Sequence, residues 1–401
     1  MTDRAEPSSD QPHLMKPGGA WAMAVGGMIG GGIFSTLGVV IAVAGQFAWA
    51  SFVLGGLVAL CSGQSYAALS RVIDRPGGSY AYLMDIGWRR TARIAVWVLV
   101  VGYTFTVSVY AVTFGSYAAF ALGAAAWVKT AAAIGAIAVL AGINLMGAAE
   151  ATFIEKVAVW GKLAILLVLS GFGLARWDTG QLVADPGSPV GWTGALIGMG
   201  VVFMAYEGFQ LLSYDYDEME DPPRTISRAM PAAILATMAT YVLVALGAAM
   251  LAGAGEIVAR EEVALAIAGR EALGLAGFLA VSLAATFSAG SAINATVFAT
   301  ARLASRAAED GEMPALFGKR DSSGVPWAGT LLISGAAAVL VVIGGLEVLV
   351  EVASLIFLAV FALVNWLAIH CRVGRRWASW IGLCGSLGGA AMLVLYLAGV
   401  V

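Results

Sequence analysis

Charge is the scarcest ingredient of this 401-residue chain: only 12% of its residues are Asp, Glu, Lys or Arg, about half the ~25% usual in soluble domains. With 60% of positions hydrophobic, a water-soluble globule is nearly excluded. A net charge of -3 leaves no basic footprint for nucleic acid. Histidine is limited to His13 and His370, far apart in sequence. A structural zinc needs about four ligands, so a metal site is not expected. The three cysteines (Cys61, Cys371, Cys384) cannot all pair, and two lie in apolar stretches, so a disulfide scaffold is excluded. No nucleophile, base and orienting group recur together, so neither an enzyme nor a cofactor is expected. What is plentiful is glycine, 51 residues, and tryptophan, 12, as suits helices packed in lipid with indoles at the interface.

A bilayer core about 30 Å thick takes about 20 mostly apolar residues per helix. Eleven such stretches lie near 19–45, 47–69, 94–122, 127–148, 156–175, 191–214, 230–252, 272–304, 328–346, 349–371 and 378–399. The chain therefore reads as an all-α, multi-pass membrane protein with about 11 transmembrane helices. Its first sixteen residues, MTDRAEPSSDQPHLMK, are polar and lack the pattern of a cleaved signal. They are expected to form a disordered cytoplasmic tail, 1–16. Orientation follows from Lys and Arg, which collect on the cytoplasmic side. With the N-terminus inside, seventeen of the 22 fall in cytoplasmic segments. Lys129, Arg176, Arg260 and Arg270 fall outside, and Lys162 lies within a span.

Ionisable residues inside spans are costly and therefore functional candidates. Lys162 lies in the fifth span, about two turns from its cytoplasmic end, where its stem could also snorkel to the interface. Glu207 lies fifteen residues after Trp192, about 22 Å into the sixth span at 1.5 Å per residue. That is too deep for a short carboxylate to reach water, leaving a substrate or proton role or a buried structural hydrogen bond. Asp215, at the end of the same span, reads as a helix-end residue reaching interfacial water.

The first span contains GGMIGGGIF, Gly26 to Phe34. Each glycine costs up to about 1 kcal/mol of helix propensity relative to Ala. An interruption is expected there, with close helix packing through Gly26 and Gly30 as the alternative. A counterpart in the sixth span, AYEGF, sets Gly208 beside Glu207. Paired interruptions in corresponding helices of two halves point to a transporter's binding site. If spans one to five and six to ten are repeats, the odd number makes them inverted, a 5+5 arrangement with discontinuous helices 1 and 6. The expected organisation is a first repeat 17–176, a second repeat 190–372 and an extra helix 373–401. Half-helix N-termini favour anions and freed carbonyls favour cations, so such a site suits a zwitterion.

These residues resemble the amino acid, polyamine and organocation (APC) transporter superfamily, of the inverted-repeat leucine-transporter fold. GGMIGGGIF resembles its first-helix glycine signature. SYAALSRVIDRPGGSYAYL (Ser65 to Leu83) resembles the motif leading to Pro-x-Gly-Gly-Ser-Tyr. FMAYEGFQLLSYDYDEMEDPPRTISRAMP resembles its aromatic-Gly-Phe segment with the acidic pair, here Asp217 and Glu218. ARLASRAAEDGEMPALF (Ala301 to Phe317) resembles its run after the eighth span, with Glu309 where the family usually has arginine. The resemblance implies that the backbone of Met28, Ile29, Gly30, Gly31 and Gly32 cradles a substrate carboxylate. It implies that carbonyls around Phe203, Ala205 and Tyr206 accept the ammonium, with Tyr206 or Phe209 as an aromatic gate. Lys162 matches the lysine that, in proton-coupled members, takes the place of a sodium ion between the first and eighth helices. Ser288 and Ser291 are its candidate neighbours, or simply small residues at a helix interface. Two departures stand out: many relatives have twelve spans, and many have an apolar residue where Glu207 stands. Glu207 is expected to meet a substrate amine or to share a transported proton. Tyr103 and Tyr110 are candidate pocket residues.

The chain is thus expected to be a proton-coupled importer of amino acids or related amines in the cell (plasma or inner) membrane. Its partners would be that small molecule, the proton and the bilayer. The alternatives are an exchanger without proton coupling or a membrane-embedded amino-acid sensor.

Overall fold

A computed structural model describes residues 14–147, 152–183 and 191–401, with backbone only for 152–158. The helices are α1 (Pro17–Ala44), α2 (Ala48–Ile73), α3 (Gly78–Asp85), α4 (Arg89–Ala121), α5 (Ala126–Leu145), α6 (Thr152–Leu174), α7 (Trp192–Val201), α8 (Phe203–Tyr206), α9 (Pro222–Ala252), α10 (Ala254–Ala259), α11 (Ala264–Glu309), α12 (Trp327–Ile343), α13 (Leu346–His370) and α14 (Arg376–Leu397). Each of the eleven expected stretches coincides with helix. Among the described residues, seven segments are long and apolar enough to cross a membrane, or eight if the bent pair of the sixth stretch counts as one span. One of the seven, Pro17–Ile73, joins α1 and α2. Val159–Leu174 and Trp327–Ile343 are apolar but shorter.

Tyr117, Tyr241, Phe34 and Phe203 are among the largest fully buried side chains. Helix α1 runs through the centre, against α9, α11 and α7, while α4 lies along α11. By contrast α5 and α14 are mostly exposed, as peripheral helices facing lipid should be. The eighth stretch begins eight residues earlier than the sequence suggests, at Ala264, and bends at Leu273 and Gly274. Gly274 has φ +61° there, a conformation that suits glycine.

One expectation is corrected. The glycine-rich segment does not interrupt the first helix: α1 is helical from Pro17 to Ala44. Intrinsic propensity predicts a break, but close packing overrides it. A Cβ at Gly30 would meet Ala292 at 2.9 Å, and one at Gly32 would meet the Tyr241 hydroxyl at 2.6 Å. At Gly31 it would collide with the Tyr110 ring. The glycines thus strip the helix surface so that neighbours can lie against its backbone. Among the described residues, the sixth span is the one in which two apolar helical segments meet at a sharp break, α7 and Phe203–Ser213 at 50°.

Of the expected tail, residues 1–13 lie outside the described residues. Met15 is tied to the segment after the sixth span: its N–H donates to the Glu218 carbonyl (2.7 Å), and its carbonyl accepts from the Glu220 N–H (2.9 Å). At the arginine-rich end, Glu312 is covered by protein and receives the Nε of Arg93 and of Arg89, both at 2.8 Å. Those hydrogen bonds, Arg93 first, hold its carboxyl below the usual carboxylate range.

Candidate functional site

The break in the sixth span sets the geometry of the site. Helical dihedrals end at Tyr206. Glu207 is extended (φ -65°, ψ 147°), and Gly208 has φ +125°, which L side chains rarely adopt. The chain then resumes as the 3-10 segment Phe209–Ser213. Ser354 of α13 supports the bend from outside, its hydroxyl donating to the Val201 carbonyl (2.7 Å) and accepting from the Met204 N–H (3.1 Å). Gly208 lies directly on α1, where a Cβ would meet the Gly27 carbonyl carbon at 2.7 Å and the Met28 nitrogen at 2.8 Å. Tyr241 of α9 joins both partners, its hydroxyl lying 2.6 Å from the Met28 carbonyl and 2.8 Å from that of Ala205.

Glu207 is buried, and its carboxylate is only loosely held. The Tyr110 hydroxyl donates to Oε1 at 3.5 Å and the Gln210 amide to Oε2 at 3.4 Å. The Thr106 side chain is a further hydrogen-bond partner, so of the roughly four hydrogen bonds a carboxylate can accept about one is unspent. The same Gln210 amide donates to the Tyr103 hydroxyl (2.8 Å), which lies 3.2 Å from that of Tyr214. Gln210 Oε1 is buried with no hydrogen-bond partner among the described residues. The break therefore presents a cluster with acceptors to spare, matched to a ligand rich in N–H donors.

Lys162 forms a second centre. Its buried ammonium donates to the Gly26 carbonyl of α1 (3.1 Å) and to the Ser288 hydroxyl of α11 (3.2 Å). Ser288 in turn donates to the Ile29 carbonyl (3.0 Å). Lys162 thus links α6, α1 and α11 through two carbonyls of the glycine segment and one serine. Ser291 is exposed and borders the same cavity of about 290 Å³ beside Lys162. Asp215 lies 3.9 Å from Arg302, which is also 3.6 Å from Glu218.

The structure brings most sequence candidates together: Met28, Ile29, Gly30, Gly31 and Gly32 of α1 are buried, as are Phe203, Ala205, Tyr206, Glu207 and Phe209. Tyr206 donates to the Phe52 carbonyl at 2.6 Å, and Phe361 meets Phe203 edge-on and Phe209 at a tilt. The carboxylate cradle is corrected with the helix: in an unbroken α1 the N–H groups of Met28 to Gly32 are engaged in helical hydrogen bonds. The α1 groups that meet partners are carbonyls. Sequence reading passed over Gln210, Tyr214, Tyr241 and Ser354. Gln210 carried a usable signal, an uncharged polar residue three positions from Glu207 inside an apolar run.

Comparison with known proteins agrees with this architecture. A family model described as amino acid permease matches residues 19–401. An uncharacterized protein of Methanocaldococcus jannaschii is 31% identical over 304 residues, 75% of this chain and 70% of that protein. The inner membrane transport protein YbaT of Escherichia coli is 29% identical over 318 residues, 76% of this chain and 72% of that one. The serine/threonine exchanger SteT of Bacillus subtilis is 27% identical over 303 residues, 74% and 68% of the two chains.

Proposed function

Because the chain belongs to the amino acid permease family and is a multi-pass membrane transporter, we propose that it imports an amino acid or related amine, coupled to protons. The substrate ammonium would sit at the sixth-span break, facing Glu207 and the Ala205 carbonyl. Alternating access would move two inverted halves, 17–176 and 190–372, about that point. The observation that carries proton coupling is the seat of Lys162, an ammonium held by the Gly26 carbonyl and Ser288. It stands where a bound cation would otherwise tie α1 to α11. Loss of its proton would withdraw that tie, and regaining it would restore it, giving protonation a mechanical effect on the helix beside the site.

Uptake into proteoliposomes tests this reading. A pH gradient, acid outside, is expected to drive accumulation of a substrate amino acid or amine, and a sodium gradient is not. Lys162→Met is expected to abolish the pH response. Accumulation that ignores the pH gradient, in the wild type, would refute coupling. A second reading, obligate exchange, is favoured by the name of the B. subtilis relative, and it predicts uptake only into vesicles preloaded with substrate.

A further inference from the structure

The largest cavity among those described is not at the sixth-span break. It is a groove of about 960 Å³ walled mainly by α5 and α11; its inner side reaches Met23 of α1, Phe114 of α4 and Leu211 and Tyr214 just past the break, while none of Phe203 to Gln210 lines it. Small residues hollow its walls: Ala132, Gly135 and Ala136 on α5, and Gly290, Ser291 and Ala295 on α11. Val139 and Phe287 also line it, and they are 62% and 73% exposed. Apolar side chains open to the surroundings at mid-helix mean that the groove opens sideways, towards hydrocarbon. Along α11 it runs from Thr286 to Arg302, about 24 Å at 1.5 Å per residue. One leaflet of hydrocarbon is about 15 Å deep, so the groove can hold a whole acyl chain.

Its chemistry changes at one end. Arg302, Arg306 and Arg320 line the rim there, with Asp215 as the acid among the lining residues. Two of the three arginines have carboxylate partners: Arg302 has Asp215 and Glu218, and Arg320 lies 2.7 Å from Glu309. Arg306 is exposed, and its Nη1 donates to the neutral Pro76 carbonyl at 3.0 Å. No carboxylate pairs with it among the described residues. This is the end at which the chain's positive residues collect, the leaflet where anionic lipids are concentrated. Basic pockets between helices on that side suit phosphate headgroups.

We propose that the α5–α11 groove is a binding site for an anionic phospholipid, its acyl chain lying between the small residues and its phosphate on Arg306. Unlike the annular shell, this lipid is selected by charge at one end and by groove shape along its length.

The test uses the full-length chain, delipidated in neutral detergent, and follows thermal unfolding. Phosphatidylglycerol is expected to raise the unfolding temperature, since a ligand of the folded state stabilises it. Phosphatidylcholine with the same acyl chains, and inorganic phosphate alone, are expected to leave it unchanged. Arg306→Gln is expected to raise the half-effective phosphatidylglycerol concentration about five-fold, and Arg306→Lys to retain most of the response. Gly135→Leu fills the groove from a position where a Cβ would meet nothing within 4 Å. It is expected to remove the response while leaving the lipid-free protein at least as stable as the parent, since leucine is a better helix former than glycine. Native mass spectrometry of the unmodified protein, released from membranes containing both lipids equally, is expected to show phosphatidylglycerol preferentially retained. Equal shifts or equal retention for the two lipids, a response that survives both Arg306→Gln and Gly135→Leu, or a shift from inorganic phosphate alone overturns the proposal.

Discussion

Substituting Gly208 by Ala probes the contact on which the site is built. Two costs follow from the geometry. An L side chain at φ +125° carries backbone strain of about 1–3 kcal/mol. The new methyl would also sit 2.7 Å from the Gly27 carbonyl carbon and 2.8 Å from the Met28 nitrogen. Both are main-chain atoms of a buried helix that cannot rotate away, and overpacking of this kind costs about 1–3 kcal/mol. Together the destabilisation is about 4 kcal/mol. Gly171→Ala, in α6, makes the control, because its Cβ would meet nothing within 4 Å and alanine is the better helix former by up to about 1 kcal/mol. Thermal unfolding in detergent should therefore separate the two variants in opposite directions from the parent. Proteoliposome uptake by any surviving Gly208→Ala protein should fall, since α1 must move off the break. A Gly208→Ala protein that unfolds at the parental temperature would refute the tight approach of the sixth-span break to α1.

Tyr241→Phe removes the hydroxyl shared by the Met28 and Ala205 carbonyls, at a cost of about 1–2 kcal/mol. Unfolding temperature should drop and uptake should weaken, whereas an unchanged value for both would assign the hydroxyl no part in joining α1 to the break. Glu312→Gln tests the arginine-rich end. Because Arg93 and Arg89 hold that carboxyl below its usual range, its stabilising contribution is present above the unfolded-state value of about 4.3 and is lost as pH falls through the depressed folded value. Both guanidinium groups are more than half exposed, so the contribution is about 1 kcal/mol. The variant should be less stable than the parent at pH 7 and converge on it at strongly acid pH, as read from unfolding midpoints across that range. A constant gap would sink the assignment.

Helix identity was legible because lipid leaves apolar length as the main requirement, and all eleven apolar stretches fall on helices. Where Arg270 and Glu271 interrupt the apolar pattern, the segment from Ala264 was lost, although it is helical up to the bend at Gly274. The first-span glycines were misjudged for a different reason. Propensity scales describe an isolated helix, whereas the backbone of Gly30, Gly31 and Gly32 is pressed by Ala292, Tyr110 and Tyr241, partners remote in sequence. Lys162 and Glu207 were visible because charge in an apolar run is conspicuous. Tyr241 and Ser354 were not, since a tyrosine or serine in a span is ordinary until its acceptor is known.

The bridge at Met15 has a mechanical meaning. Through the Glu218 and Glu220 backbone it fastens the beginning of α1 to the segment that directly follows the sixth span, while Gly208 and Tyr241 fasten α1 to that span midway along. Two rods clamped at two separated points cannot shear or pivot against each other. Torque applied to either is delivered to both, so the first and sixth spans should swing as a single lever, with α4 and α11 as the frame against which it turns.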